Sequence, residues 1–458
     1  MEAKASNRTI IHSARIVNEG EITPGYVVIE GEFISEVGSG EAPAGLIAGC
    51  GSVIDADGRL LIPGGIDEHV HFRDPGLTHK ADMATESRAA VAGGITSFID
   101  MPNTVPATVT CKAVEDKMAR AAQVSCANYG FFIGATNSNL DELLAADYTK
   151  VAGVKLFLGS STGNMLVDSE STISRIMAEV PALIAVHAED EAIISANRKA
   201  MVEKNGEDMP VSCHPVIRSR EACVEATRKA VEGAHRYGAR LHVLHISTAD
   251  ELQFFTAGPV EGKRITAETC PQYLLFSDEQ YAAYGSGIKC NPAIKSAADR
   301  AALRKAVADG VIDVVATDHA PHLPQEKAGG AIKAVSGMPM IQFSLPVMMS
   351  LAAEGLLTYE QVVDKMCHNP ARIFGIDRRG FIRKGYYADL VLLDDGCEPY
   401  TVTDDIILSR CGWSPLEGAP LSVRVDMTWV NGCNIWRHGI LFSKRCAMPL
   451  NFLNNIHK

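Results

Sequence analysis

The sequence LIPGGIDEHVHF at residues 61–72 is a short apolar run that ends in polar residues, and seven similar runs follow it along the chain. Each run is rich in β-branched or aromatic residues, and stretches with helical periodicity lie between them. The seven are GITSFIDMP (94–102), NYGFFIGAT (128–136), VAGVKLFLG (151–159), ALIAVHAED (182–190), ARLHVLHIS (239–247), RITAETCPQYLLF (264–276) and IDVVATDHA (312–320). Strands that alternate with helices build a parallel sheet. Eight such units predict an α/β fold, a TIM-like (β/α)8 barrel over residues 60–375.

The two ends of the chain have a different pattern. Residues 7–57 contain short alternating runs broken by Gly and Asn, and the runs ADLVLLDDG at 388–396 and VDMTWVNGCNIWRHG at 425–439 resume it. Such runs are typical of hairpins. We therefore expect a small β-sandwich domain built from both termini, with its N-terminal part at 1–59 and its C-terminal part at 376–458.

Composition limits the classes of partner. Asp and Glu total 55 against 43 Lys and Arg, which gives a net charge of −12, and no sustained basic run occurs. This balance argues against nucleic acid or an anionic membrane as the main partner. Charges scattered through the first twenty residues leave no room for the apolar part of a secretion signal, so we expect a cytoplasmic protein. The uncharged stretch at 334–353 contains two prolines and is expected to be a core helix.

Polar residues at the ends of the predicted strands are the candidate functional groups, because barrel active sites lie at the carboxyl ends of the strands. His69 and His71 alternate onto the same face of strand one. The other candidates are Lys155, His187, His245 and Asp318, on strands four, five, six and eight. Each could instead be a hydrogen-bonded core residue, a snorkelling lysine or a helix cap. Their occurrence at one end of one barrel favours a shared site, whereas His242 is expected to face the opposite side of its strand.

These residue types are metal ligands. Imidazole nitrogen and carboxylate oxygen suit zinc, and four histidines with one aspartate exceed the needs of one catalytic zinc. A metal pair needs an anionic bridging ligand, and Lys155 occupies the strand where one is expected. Desolvation and nearby positive charge lower a lysine pKa, and a neutral amine can take up carbon dioxide to form a carbamate. The sequence therefore favours two Zn2+ per chain and a carbon dioxide-derived carbamate on Lys155. We discount Thr104, Ser160 and Cys270 as nucleophiles, because none has a His and Asp partner visible in the sequence.

Several longer motifs carry a resemblance to a known family over nearly the whole chain. They are HVHFRDPG (69–76), DMPNT (100–104), CNPAIKS (290–296), DVVATDHAPH (313–322), HNPARIFG (368–375) and ADLVLLD (388–394). With the six candidate ligands, they resemble the amidohydrolase superfamily and, within it, the dihydroorotases. The His-x-His pair alone is common among hydrolases, whereas HFRDPG with MPNT is much more specific. One departure is Gln342, which stands where the family pattern has an acid.

The resemblance implies roles for individual residues. His69, His71 and Asp318 would bind one zinc, His187 and His245 the other, and carboxylated Lys155 would bridge them together with a hydroxide. Arg73 and Asn103 would hold a substrate carboxylate, Asn291 would contact the substrate ring, and His322 would complete the anion pocket. Arg73 could instead form a surface salt bridge, and Asn103 could be a turn residue.

The implied reaction is the reversible cyclisation of N-carbamoyl-L-aspartate to L-dihydroorotate in pyrimidine (UMP) biosynthesis. In ring opening, the bridging hydroxide would attack the ring amide, with Asp318 as base and then acid. The partner would be this small molecule, and relatives that are often dimers imply a homodimer as the candidate assembly. The alternatives are a hydantoinase or allantoinase, whose substrates lack the carboxylate, and a non-catalytic dihydroorotase-like scaffold subunit.

Overall fold

The computed structural model describes residues 7–159, 165–442 and 445–453. Ser160 lies outside these residues. The N-terminal part begins with antiparallel hairpins, β1 to β2 to β3, and successive apolar side chains of β2 pack into two different buried clusters. Its elements are β1 (Arg8–Asn18), β2 (Glu21–Glu30), β3 (Phe33–Ser39), α1 (Ala44–Ala48), β4 (Ser52–Asp55) and β5 (Leu60–Pro63).

The central part alternates strands with helices. Its strands are buried along their whole length, as expected for parallel strands with helices packed outside. The strands are β6 (Gly65–Val70), β7 (Ile95–Asp100), β8 (Asn128–Phe131), β9 (Ile133–Gly134), β10 (Val154–Phe157), β11 (Ile184–His187), β12 (Leu241–Val243), β13 (Ile265–Thr269) and β14 (Val314–Val315).

Several helices of this part begin at residues that bind their free N–H groups. Asp82, Thr110 and Ser296 each accept a hydrogen bond from the first turn of the helix that follows. The helices are α2 (Met83–Ala92), α3 (Cys111–Val124), α4 (Leu140–Ala145), α5 (Glu170–Glu179), α6 (Glu191–Asn205), α7 (His214–Ile217), α8 (Arg220–Tyr237), α9 (Pro271–Leu275), α10 (Tyr281–Tyr284), α11 (Ala297–Ala308), α12 (Ile341–Ala353), α13 (Tyr359–Val363) and α14 (Asn369–Phe374).

The strands of the central part close into a barrel. Strands β6, β7 and β8 pair in parallel, as do β9 to β14 in sequence order. Only Phe132 separates β8 from β9, so these two strands form one interrupted barrel strand. The last strand joins the first where the backbone N–H of His71 donates to the carbonyl of His319 at 2.8 Å. The predicted (β/α)8 barrel is confirmed.

The C-terminal part returns to the sheet of the N-terminal part. It contributes β15 (Leu390–Asp394), β18 (Arg424–Val430), β19 (Cys433–Arg437) and β20 (Ile440–Leu441), while β16 (Tyr400–Thr401) and β17 (Pro420–Leu421) form a separate ribbon. The strand order is β20-β19-β18-β15-β5-β1-β2-β3, with β4 paired to β1. The predicted β domain from both termini is confirmed. The run that begins at Leu60 divides, however: β5 pairs with β1 and β15, and the first barrel strand starts at Gly65.

The uncharged stretch at 334–353 contains the core helix α12, as predicted. Of its residues, Ile341–Leu351 are all buried. Among the described residues, no helix has the length and hydropathy needed to cross a membrane.

The end of the described chain leaves the β domain and covers the amino-terminal end of the barrel. The N–H of Leu450 donates to the carbonyl of Tyr129, and the N–H of Phe452 donates to the carbonyl of Thr149. The Phe452 ring is 1% exposed and packs with Leu450, Phe132 and Phe374. This end of the barrel therefore serves packing, which leaves the opposite end for chemistry.

We predict that Phe452→Ala lowers the free energy of unfolding by about 3–5 kcal/mol, because it leaves a cavity under the barrel. Urea-induced unfolding measures the change. The neighbouring Leu453 side chain is 53% exposed, so Leu453→Ala is the matched control and should change stability by less than about 0.5 kcal/mol. Equal stability of the two variants would contradict the packing role of Phe452.

Candidate active site

Three of the predicted ligands meet at the carboxyl end of the barrel. His69 lies on β6, His71 directly follows it, and Asp318 follows β14. Oδ1 of Asp318 lies 3.3 Å from Nε2 of His69 and 3.0 Å from Nε2 of His71. All three side chains are buried, and their ligand atoms lie within 4.8 Å of one another. The strand alternation that predicts a common face for His69 and His71 is therefore present in the structure.

The other two histidines form a second pair beside the first. Nδ1 of His187 lies 2.8 Å from Nε2 of His245, and the two rings meet edge to face. The ring centroids of His245 and His69 are 5.4 Å apart, so the two groups share one buried space. His242 also points into the barrel, where its Nε2 lies 2.9 Å from Glu68, so the expected opposite orientation is wrong. The cause is the left-handed backbone at His245 (φ 44°), which breaks the strand alternation.

Lys155 is buried in β10 and belongs to the same space. Its Nζ lies 4.8 Å from the centre of the Phe157 ring. Burial lowers the pKa of Lys155 to about 8. Burial also lowers the pKa of His69, His71, His187 and His245, and the charge of Lys155 lowers each of them further. The imidazoles are therefore neutral at neutral pH, which is the state that binds metals.

Hydrogen bonds fix the orientation of two of these rings, and a third ring has a carboxylate close to one nitrogen. Nδ1 of His69 lies 3.1 Å from both carboxylate oxygens of Glu268, and Nδ1 of His71 lies 2.6 Å from Oδ1 of Asn103. Nε2 of His187 lies 3.1 Å from Oε2 of Glu189. A neutral imidazole that donates at one nitrogen keeps a lone pair on the other. The lone pairs of these rings are therefore directed toward Asp318 and His245.

Glu268 and Glu189 contact the predicted ligands, and the sequence reasoning missed both. Glu268 lies in the apolar run of β13, and Glu189 lies two residues after His187. An acidic residue within a buried strand, and another beside a predicted ligand, were the available signals. Their partners could not be read from the chain, because Glu268 and His69 are 199 positions apart.

The ionisation of the carboxylates follows from their neighbours. Burial opposes ionisation of Asp318, but His69 and His71 hold its pKa below the ordinary value. Burial alone would likewise raise the pKa of Glu189, but the Arg218 guanidinium and His187 lower it to about 2. Both carboxylates are therefore charged at neutral pH.

A small cavity opens beside Asp318 and His71. Arg73, Asn103 and Asn291 all line it, so the structure brings these three predicted substrate contacts together. Arg73 is 2% exposed, which excludes the alternative of a surface salt bridge. Burial lowers the pKa of Arg73 to about 10, so the guanidinium remains charged at neutral pH. Oδ1 of Asn103 faces His71, and the amide nitrogen is the donor atom of the same side chain.

His322 lies behind Arg73 and is not one of the described residues that line this cavity. Its Nε2 lies 3.0 Å from Nη2 of Arg73, and its Nδ1 lies 3.2 Å from Nζ of Lys80. The structure therefore places His322 where it contacts Arg73 and not where it lines the cavity. Gln342 lies elsewhere, where it bonds the backbone of Ile406 and Leu408.

Thr104 and Cys270, two of the discounted nucleophiles, lack catalytic partners in the described part of the chain. The hydroxyl of Thr104 donates to the carbonyl of Pro106 at 2.8 Å. The thiol of Cys270 lies 3.4 Å from Glu268, and burial raises its pKa well above the ordinary value. A thiol held neutral in this way is a poor nucleophile.

Known proteins with similar sequences and structures share this architecture. The model of the amidohydrolase family matches residues 60–434. A dihydroorotase from Halobacterium salinarum is 39% identical over 385 residues, which cover 83% of this chain and 87% of the relative. An allantoinase from Streptomyces avermitilis is 33% identical over 437 residues, which cover 94% of this chain and 96% of the relative. The solved L-hydantoinase (dihydropyrimidinase) from Arthrobacter aurescens has a TM-score of 0.90 and 27% identity, covering 97% of this chain and 99% of its own.

We predict that Arg218→Ala destabilises the fold by about 3–5 kcal/mol, because Glu189 remains buried without its cation. In the parent protein the folded pKa of Glu189 lies below its unfolded value, so its stabilising contribution is present above about pH 4.5 and is lost as the pH falls toward 2. Unfolding in urea across this pH range should show that dependence weakened in the variant. Arg175→Ala, which removes an exposed pair with Glu179, is the control and should change stability far less, because solvent screens that pair. A pH profile unchanged by Arg218→Ala would contradict this assignment.

Proposed function

The chain belongs to the amidohydrolase family and is a cyclic amide hydrolase, and from this premise we propose that it is a dihydroorotase. The proposed reaction is the reversible cyclisation of N-carbamoyl-L-aspartate to L-dihydroorotate in pyrimidine biosynthesis. The observation that carries the proposal is the buried guanidinium of Arg73, which lines the same cavity as Asp318. A buried, charged guanidinium needs an anionic partner, and the carboxylate of dihydroorotate supplies one.

The donor set fits the zinc pair that the family implies. His69, His71 and Asp318 would hold one ion, His187 and His245 the other, and carboxylated Lys155 would be the shared ligand. Nδ1 of His187 and Nε2 of His245 face each other, and this pairing of two buried imidazoles suits a cation. The lowered pKa of Lys155 supports carbamate formation, because only the neutral amine reacts with carbon dioxide. When bound, such a pair supplies Lewis acidity to the substrate carbonyl and to water.

The protein's own residues bind the substrate and move its proton. The fork of Arg73 and the side chain of Asn103 would bind the substrate carboxylate, and Asn291, which lines the same cavity, would contact the ring. The charged carboxylate of Asp318 would accept a proton from the attacking water and donate it to the departing ring nitrogen. Ring closure would run through the same proton positions in reverse.

An allantoinase is the second candidate, because a relative with that name covers nearly the whole chain. Allantoin and hydantoin lack the carboxylate that Arg73 would bind, which disfavours both. A non-catalytic scaffold is not supported, since the six ligand side chains all lie at one end of the barrel. A cytoplasmic location and a homodimer stay predictions.

The first test compares substrates. We predict that purified protein supplied with zinc and bicarbonate hydrolyses dihydroorotate at least about 100-fold more efficiently than hydantoin or allantoin, as expected when a buried charge is left unpaired. Values of kcat/KM for the three compounds measure the preference. Faster turnover of allantoin or hydantoin would overturn the assignment to dihydroorotase.

The second test separates metal binding from substrate binding. Lys155→Ala should lose the zinc pair and the activity, whereas Arg73→Ala should keep the zinc and raise KM for dihydroorotate by about 10- to 100-fold. Zinc content by elemental analysis and steady-state kinetics distinguish the two variants. Loss of zinc from the Arg73 variant would contradict the assigned roles.

A further inference from the structure

Glu268 connects the two groups of ligands from beneath them. It lies on β13, a strand that carries none of the predicted ligands, and its side chain is completely buried. Both carboxylate oxygens lie 3.1 Å from Nδ1 of His69. One of them also accepts the backbone N–H of His245 at 2.9 Å. A single side chain therefore contacts one residue from each group.

The hydrogen bond from the N–H of His245 to Glu268 occurs where the backbone has an unfavourable conformation. The β12 strand ends at Val243, and two residues later the backbone turns into the left-handed region at His245. That conformation is unfavourable for a residue with a side chain. It also turns the His245 ring into the barrel above His242. The carboxylate of Glu268 binds the N–H that this conformation presents.

A layer of buried polar side chains lies next to Glu268. Nε2 of His242 lies 2.9 Å from Glu68 and 4.0 Å from Glu268. Nδ1 of His242 lies 2.7 Å from the hydroxyl of Thr266, which lies two residues before Glu268 on β13. All of these side chains are buried. Buried polar groups held by such bonds have restricted positions, and Glu268 packs against this layer 4.0 Å from Nε2 of His242.

We propose that Glu268 is a positioning residue that orients His69 and His245 for two different metal ions. It fixes the His69 ring so that Nε2 faces Asp318, and it fixes the backbone that turns His245 inward. The inference rests on the proposed metal centre. It adds a residue that coordinates neither ion and that sets the geometry of both.

Three variants of Glu268 test this role. Glu268→Leu preserves volume and removes both acceptor oxygens, so zinc affinity should fall about 10- to 100-fold. Glu268→Gln keeps one acceptor oxygen and should retain affinity within a few-fold of the parent. Glu268→Asp keeps the charge but withdraws the carboxylate by one methylene, and it should weaken zinc binding about 10-fold. Zinc stoichiometry and affinity are measured by competition with a chelator on refolding-competent, zinc-stripped protein.

Glu251 provides the matched control. It is a buried carboxylate of the same residue type that bonds to Thr227 and to the 247–248 backbone. Glu251→Leu should lower the thermal unfolding temperature and leave zinc affinity unchanged. If Glu268→Leu does not fold, the Asp and Gln variants decide the outcome.

The outcomes distinguish the two proposals. A parent protein that binds no zinc would overturn the proposed metal centre. A parent that binds two zinc ions, together with Leu or Asp variants of unchanged zinc affinity, would overturn the role of Glu268 alone. Zinc binding that weakens in the Leu and Asp variants and is retained in the Gln variant supports the positioning role.

Discussion

The constraint on which this structure depends is the burial of four imidazoles and one lysine in a single space at the carboxyl end of the barrel. Burial keeps the rings neutral, and each neutral ring carries one N–H and one lone pair. The N–H needs an acceptor outside the site if the lone pair is to face inward. Glu268 and Asn103 provide those acceptors for two of the rings, and Glu189, whose charge Arg218 compensates, lies 3.1 Å from Nε2 of His187.

In the rest of the fold, the apolar core and the polar site occupy opposite ends of the barrel. At the amino-terminal end of the barrel, Phe132, Phe374, Leu450 and Phe452 fill the interior with apolar side chains. The layer of Glu68, His242 and Glu268 lies between that core and the ligands. The β domain brings the two chain ends together through β5, which pairs with strands from both. The barrel can thus present a polar end without losing its core.

Local charge, and not the overall charge, would govern recognition of the proposed substrate. The chain carries a net charge of −12, which would repel an anion at long range. Arg73 is nevertheless buried with its charge retained, at a cavity that also reaches Asp318. Within such a small, desolvated space a single guanidinium outweighs distant surface carboxylates, because solvent screens those carboxylates and does not screen the cavity. This is the physical basis for preferring a substrate with a carboxylate.

The sequence by itself determined the eight barrel strands, the β domain from both ends and the six residues at the strand ends, because strand alternation and strand position are local properties of the chain. The prediction that the whole run from Leu60 belongs to the barrel was wrong for residues 60–63. These residues form β5 in the other sheet, and that placement depends on pairing with β15. The orientation of His242, the position of His322 behind Arg73 and the contacts of Glu268 and Glu189 were decided only by the tertiary structure. A left-handed backbone at one residue and bonds between distant strands leave no periodic signal in a sequence.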